Sequence, residues 1–247
     1  TFINRYKFNI MPSTDDRPYF SNFFKWQTLP EIVSLKGQGG IVLLESGYLI
    51  LVITLIQALF ASLILILLPV LSRTHDRVQA STWSRPRIAL YFFAIGFGFL
   101  FLEIAFIQKF ILYLVHPLYA ASVLAIFLVF AGLGSQFAQR KRFHAIWPVI
   151  IILSLGVLEL IASGMLFNVL SGLTAPMKVF VAVVMLGPLA FCMGMPFPLA
   201  LTEIGADVPD LIPWAWAVNG CASVVAAVLA TLLAVHFGFA AVVLISL

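Results

Sequence analysis

The feature that most limits what this chain can fold into is its succession of long, uninterrupted apolar runs, the first being GYLILVITLIQALFASLILILLPVL from Gly47. A run of about 18 apolar residues is long enough to cross the roughly 30 Å hydrocarbon layer as a helix. Six runs of that kind fall at roughly 47–71, 88–115, 117–138, 146–170, 176–201 and 213–236, and a further one begins near 237. The breaks between them carry turn and boundary residues: Pro86, His116-Pro117, Pro148, Gly172 with Pro176, and Pro209 with Pro213. Backbone polar groups in lipid must be satisfied within the segment, and barrel strands would alternate apolar and polar residues. Continuous runs therefore predict an all-α integral membrane protein, a polytopic bundle of six to seven transmembrane helices. Composition agrees, with 62% hydrophobic and 10% charged residues and a mean hydropathy of +1.10, against about 25% charged residues in soluble domains.

The net charge of +4 resides mostly in short loops and speaks of orientation. The loop 72–87 holds Arg73, Arg77, Arg85 and Arg87, and the loop 139–145 holds Arg140, Lys141 and Arg142. Both lie on one side of the bundle, and the positive-inside rule makes that side cytoplasmic. The opposite side shows only His116 and, near a helix start, Lys178. No interleaving of basic and aromatic residues points to nucleic acid. Cys192 and Cys221 sit in apolar runs and read as small buried hydrophobes. His75, His116 and His144 have no second ligand at metal spacing, so no metal site is expected.

A polar head precedes the bundle: MPSTDDRPYFSNFFKW, residues 11–26. Residues 1–40 read as the end of a soluble domain plus a linker, and 41–247 as a transmembrane domain, with both ends of the sequence reading as cut. Phe2, Ile3, Tyr6, Phe8 and Ile10, mostly alternating, predict a strand with one buried face. GQGG at 37–40 precedes a membrane helix and reads as a linker.

TDDRPYF at 14–20, followed by FFKW and a helix bundle, resembles the segment closing the Rossmann-like domain of bacterial membrane-bound spermidine synthase-like proteins. GFGFLFLEIAFIQKFILYLVHPLYA at 96–120, CMGMPFPLAL at 192–201 and IPWAWAVNGCASVVA at 212–226 resemble the membrane part of the same family. The resemblance implies an aminopropyltransferase-like domain joined to a membrane bundle, and decarboxylated S-adenosylmethionine with putrescine as its chemistry. No G-x-G-x-x-G-like loop after a strand is present in these 247 residues, so they alone do not make a complete enzyme. A looser resemblance is to half of a major facilitator transporter, through GLGSQFAQRKR at 132–142, which lacks the aspartate of that superfamily's loop.

Several residues could carry chemistry. Asp15 and Asp16, after Ser13-Thr14, can cap a helix start or a turn, while Pro18 holds Arg17 extended. Alternatively, the family resemblance makes Asp15, Asp16 and Arg17 substrate-binding, carboxylates suiting a polycationic substrate. Glu103 and Glu159 stand near the middle of their helices, where a lipid-facing carboxylate costs a few kcal/mol. They are either a cation or proton site or hydrogen-bonding anchors between helices. Lys109 lies about 240° around the helix from Glu103 and snorkels toward the nearer interface. Pro196 and Pro198 mark a helix break, as at a transport site, or a simple kink. Trp214 and Trp216 read as an interfacial belt, Asn219 as a cross-helix hydrogen bonder, and Ala222 with Ala226 either as a close helix contact or merely as good helix formers.

Three functions stand open: the membrane domain of a spermidine synthase-like protein, as the resemblance implies; a transporter or channel for a small cation such as a polyamine, using Glu103 and Glu159; or a structural subunit of a larger membrane complex. The charge rule adds a conflict, because it puts residues 1–40 outside the cytoplasm, whereas adenosylmethionine-type cofactors are cytoplasmic.

Overall fold

The computed structural model describes residues 6, 8–19, 23–28, 34, 46–72, 83–114, 117–141 and 144–247. Among them the regular structure is helical: α1 (Ser46–Ser72), α2 (Arg85–Leu114), α3 (Pro117–Arg140), α4 (Ile146–Val169), α5 (Ala175–Met193), α6 (Pro196–Asp207), α7 (Ile212–Phe237) and α8 (Phe239–Ser246). Six spans of the described residues are long and apolar enough to cross a membrane, with α5 and α6 together forming one of them. The protein is thus a multi-pass helical membrane protein. Outward faces carry residues such as Leu90, Ile161 and Met165, all exposed in the isolated chain and suited to lipid.

The core forms where large rings meet small residues. On α7, Ala222, Ala226, Ala230 and Ala234 recur every four residues, and all four are buried. Their stripe faces α2, and these two helices share the most extensive contact in the bundle. Phe101, Phe106 and Phe110 of α2 fill the same cluster. Small residues let the backbones approach, and bulky rings from the partner fill the remaining space. Asn219 Nδ2 donates to Phe92 O at 3.1 Å, and Ser223 Oγ donates to Gly96 O at 3.3 Å. The contacts advance in the same direction on both helices, so α2 and α7 run parallel. Helix α1 stands at the periphery, packed mainly on α7. The indole of Trp214 donates to Ile66 O of α1 at 3.4 Å. That tryptophan therefore ties two helices together as well as standing near a helix start, while Trp216 is exposed beside Phe197.

The Pro196/Pro198 region is a kink. Gly194 and Met195 keep right-handed helical backbone angles, and Pro196 and Pro198 fall in the first turn of α6, where a missing N–H costs little. Cys192 O, which Pro196 cannot serve, accepts from Met195 N at 3.1 Å. The kink is packed tightly. A Cβ on Gly194 would strike the backbone of Ala131, and one on Gly134 would strike the carbonyl oxygen of Phe191. These two glycines let α3 and α5 touch backbone to backbone.

Residues 1–5 and 7 of the expected strand, the linker 37–40, and Arg73, Arg77, His75, His116 and Arg142 lie outside the described residues. The described part of the polar head contains no strand. It holds an isolated bridge between Thr14 and Arg17 and a 3-10 turn at Trp26–Thr28. A Rossmann-like domain is not part of the described structure.

Candidate functional site

Helices α2, α4 and α7 all end at the same face of the bundle, away from the helix ends that carry Arg85, Arg87 and Arg140, followed by Lys141. Their last carbonyls would be left without intrahelical partners, and their negative macrodipole ends converge. The sequence supplies a donor to each. Lys178, reaching over from α5, donates to Tyr113 O of α2 at 3.3 Å. The Tyr113 hydroxyl donates to Leu170 O, just past α4, at 3.3 Å. Arg17 Nη1 donates to His236 O of α7 at 2.9 Å.

Arg17 belongs to a tight turn built by Thr14-Asp15-Asp16-Arg17. The Arg17 amide donates to Thr14 O at 2.8 Å and meets Thr14 Oγ1 at 3.2 Å. The turn clasps the joint between α7 and α8. At this joint Gly238 takes φ +90°, ψ 168°, a region essentially reserved for glycine. Beyond it, α8 starts with amides that have no helical acceptor. Asp16 supplies them: its backbone oxygen accepts from Phe239 N at 3.0 Å, and its Oδ1 accepts from Ala240 N at 2.8 Å. One arm of the turn thus caps the end of α7 and the next residue caps the start of α8. Tyr19 follows, its ring edge-on to Phe239 at 6.0 Å. Burial of its hydroxyl, which has no hydrogen-bond partner among the described residues, pushes its pKa to about 12. Phe24 and Trp26 pack against Tyr48 of α1, whose hydroxyl lies 3.3 Å from His236 Nε2.

Between the clasp and the helix ends lies a cavity of about 400 Å³ walled by Asp15, Asp16, Lys109, Tyr113, Phe167 and Lys178 among others. Lys178 is only 9% exposed and also lies over the Tyr113 ring, 5.2 Å from its centroid. Lys109 interacts electrostatically with Asp16 above it and with Glu159 deeper in the bundle. Glu159 is 7% exposed, and its Oε2 has no hydrogen-bond partner among the described residues.

The residues singled out from the sequence are thus dispersed. Asp15 and Asp16 line the cavity, but Arg17 and the Asp16 carboxylate are engaged by the helix joint. Glu159 lies beneath the cavity, linked to it through Lys109. Glu103 is also 7% exposed, on α2, and among the described residues it makes no hydrogen bond. Asn219 Nδ2 donates to Phe92 O, a cross-helix hydrogen bond as expected. Pro196 and Pro198 are at the kink. Cys192 and Cys221 are buried and unpaired. Among the described residues no group of three potential metal ligands occurs.

Sequence reasoning noted Lys178 only as a charge near a helix start, passed over Tyr113 and gave Lys109 no role in a site. Lys178 carried a readable signal. It stands one turn into α5, where a cation opposes the helix dipole, so its charge has to be answered from elsewhere, here by the end of α2. The cavity does not fit decarboxylated S-adenosylmethionine: two lysines face it, which repels a sulfonium, and one of its two carboxylates is already occupied by Ala240 N. No protein-family profile, no curated protein and no solved structure matches the chain.

Proposed function

We propose that this chain is the membrane domain of a protein similar to the bacterial membrane-bound spermidine synthase-like family, and that it anchors an aminopropyltransferase-like domain. The observation that supports this reading is the clasp of Asp16 and Arg17 on the α7–α8 joint. A polar head that merely trailed from the bundle would need no such contact. By capping two helix ends at once, the clasp gives whatever precedes Thr14 a fixed footing on the bundle. The capped face is opposite Arg85, Arg87, Arg140 and Lys141, so the positive-inside rule puts it outside the cytoplasm. A domain held there is remote from cytoplasmic decarboxylated S-adenosylmethionine, and the reading is therefore of an anchored domain of that fold.

The test uses the full-length protein with a protease site engineered between residues 35 and 45. After cleavage in detergent, the upstream fragment is expected to stay with the bundle in the wild type and to separate when Asp16→Ala and Arg17→Ala are combined. A wild-type fragment that separates as readily as the variant contradicts the proposal.

A second reading, transport of a small cation such as a polyamine, draws on Glu159, a buried carboxylate with an oxygen lacking any partner among the described residues. Intramembrane carboxylates of this kind mark ion paths. Its test is uptake of labelled putrescine into proteoliposomes, which Glu159→Gln should abolish. Uptake unchanged by that substitution rules the reading out.

A further inference from the structure

The cavity at the capped face holds charges that the helix caps do not exhaust. Lys178 uses one of its three ammonium donors on Tyr113 O. Lys109 lines the cavity; among the described residues it makes no hydrogen bond, and the carboxylates it interacts with electrostatically are Asp16 and Glu159. Asp15 lines it as well and is likewise without a hydrogen bond among the described residues. Asn168 is on the same wall, with Phe167 beside it. Lys109, Lys178 and Asn168 thus border one volume of about 400 Å³, together with the carboxylates of Asp15 and Asp16, the second of which already accepts from Ala240 N.

A purely cationic ligand meets two lysines here, and a purely anionic one meets Asp15. A ligand bearing both charges satisfies all three groups. Two lysines suit the oxygens of a phosphate, which accepts several charge-assisted hydrogen bonds, and Asp15 suits an ammonium a short chain away. Lys178 is held in place by its cap on α2 and its stacking on Tyr113, so this part of the site is formed before any ligand arrives.

We propose that this cavity binds a phosphoethanolamine-type zwitterion, with the phosphate between Lys109 and Lys178 and the ammonium at Asp15. Such a group is offered by a phospholipid headgroup or by a free phosphomonoester. The site shares the Thr14–Arg17 turn with the anchoring role, but neither Lys109 nor Asp15 contributes a hydrogen bond to the clasp, so their substitution tests the cavity alone.

The experiment uses the full-length protein in detergent and in nanodiscs. Calorimetry with O-phosphoethanolamine and with inorganic phosphate reports the soluble ligands. Native mass spectrometry from nanodiscs of mixed phosphatidylethanolamine and phosphatidylcholine reports the lipid. Lys109→Gln should weaken every ligand that binds by at least tenfold. Asp15→Asn should weaken O-phosphoethanolamine or phosphatidylethanolamine by a similar factor and leave inorganic phosphate unchanged. Lys178→Arg, which keeps the cap, should retain binding. Retention of phosphatidylethanolamine without binding of O-phosphoethanolamine identifies the lipid as the source, and strong binding of O-phosphoethanolamine identifies the free compound. Binding of none of them to the wild type overturns the proposal. So does binding unaffected by Lys109→Gln, or Asp15→Asn acting equally on phosphate and phosphoethanolamine.

Discussion

Gly238→Ala addresses the joint that the clasp holds. Two costs apply. The backbone at φ +90°, ψ 168° is one that a residue with a Cβ enters at about 1–3 kcal/mol. The added Cβ would also lie 2.8 Å from Asp16 Cγ and 3.2 Å from Arg17 Cγ, and would strike Asp16 Oδ2. Forcing it in costs about 1–3 kcal/mol, as for other overpacked sites. Lifting the turn off the joint relieves the clash but gives up the Asp16 cap, worth about 0.5–2 kcal/mol. The cheaper route is to lift the turn, so the substitution should destabilise by about 2–4 kcal/mol and release the polar head. A double-mutant cycle separates the terms. Asp16→Ala alone should cost about 1 kcal/mol, and in the Gly238→Ala background close to nothing, because there the cap is already open. The coupling energy is then about 1 kcal/mol, within the range for residues in contact. The assay is reversible unfolding in mixed detergent micelles. Full additivity of the two substitutions, or a Gly238→Ala cost below about 0.5 kcal/mol, would refute the reasoning.

Other consequences follow from the same structure. Tyr19→Phe removes a buried hydroxyl with no partner among the described residues and should be neutral or stabilising by up to about 1 kcal/mol, read in the same unfolding assay. In the wild type, ultraviolet titration should put the Tyr19 phenol near 12. The unfolded chain ionises it first, near 10, so its contribution to stability is intact below that pH and falls as pH rises from about 10 toward 12. Gly194→Ala should separate α3 from α5 and cost about 1–3 kcal/mol, with Gly134→Ala behaving alike; a cost near zero for both would show that the backbones are not in contact. Cysteines placed at Ser84 and Lys141, in a background lacking Cys192 and Cys221, should react with an impermeant thiol reagent only from one side of the membrane, and one at Asp15 only from the other. Labelling of all three from the same side contradicts the topology.

The helices were legible because length and apolarity in a membrane are a local signal. The observed ends fall within a few residues of the apolar runs, as at Ile146–Val169 and Ile212–Phe237. The Ala222/Ala226 spacing left a close helix contact and mere helix propensity both open; burial of the stripe as far as Ala234 favours the contact. What was not legible depends on pairs far apart in sequence. TDDR advertises a turn and a cap, but nothing near it names the α7–α8 joint more than 200 residues later. Gly238 stands in an apolar stretch, and a positive φ leaves no mark in a sequence beyond the glycine itself. Pro196 and Pro198 read either as a break or as a simple kink; first-turn positions and the contacts of Gly194 with α3 make it a packed kink. Lys109 and Lys178 are 69 positions apart, and only the bundle brings them to one cavity.

The clasp itself is tested most directly by site-resolved hydrogen exchange at the amides of Phe239 and Ala240. The first residues of a helix have no intrahelical acceptor, so their amides exchange fast unless something else accepts from them. With Asp16 O and Oδ1 in place, both should be protected in the wild type. Asp16→Ala should restore fast exchange at Ala240 while leaving the middle of α7 unchanged. Fast exchange at both amides in the wild type would mean that the turn does not sit on the joint.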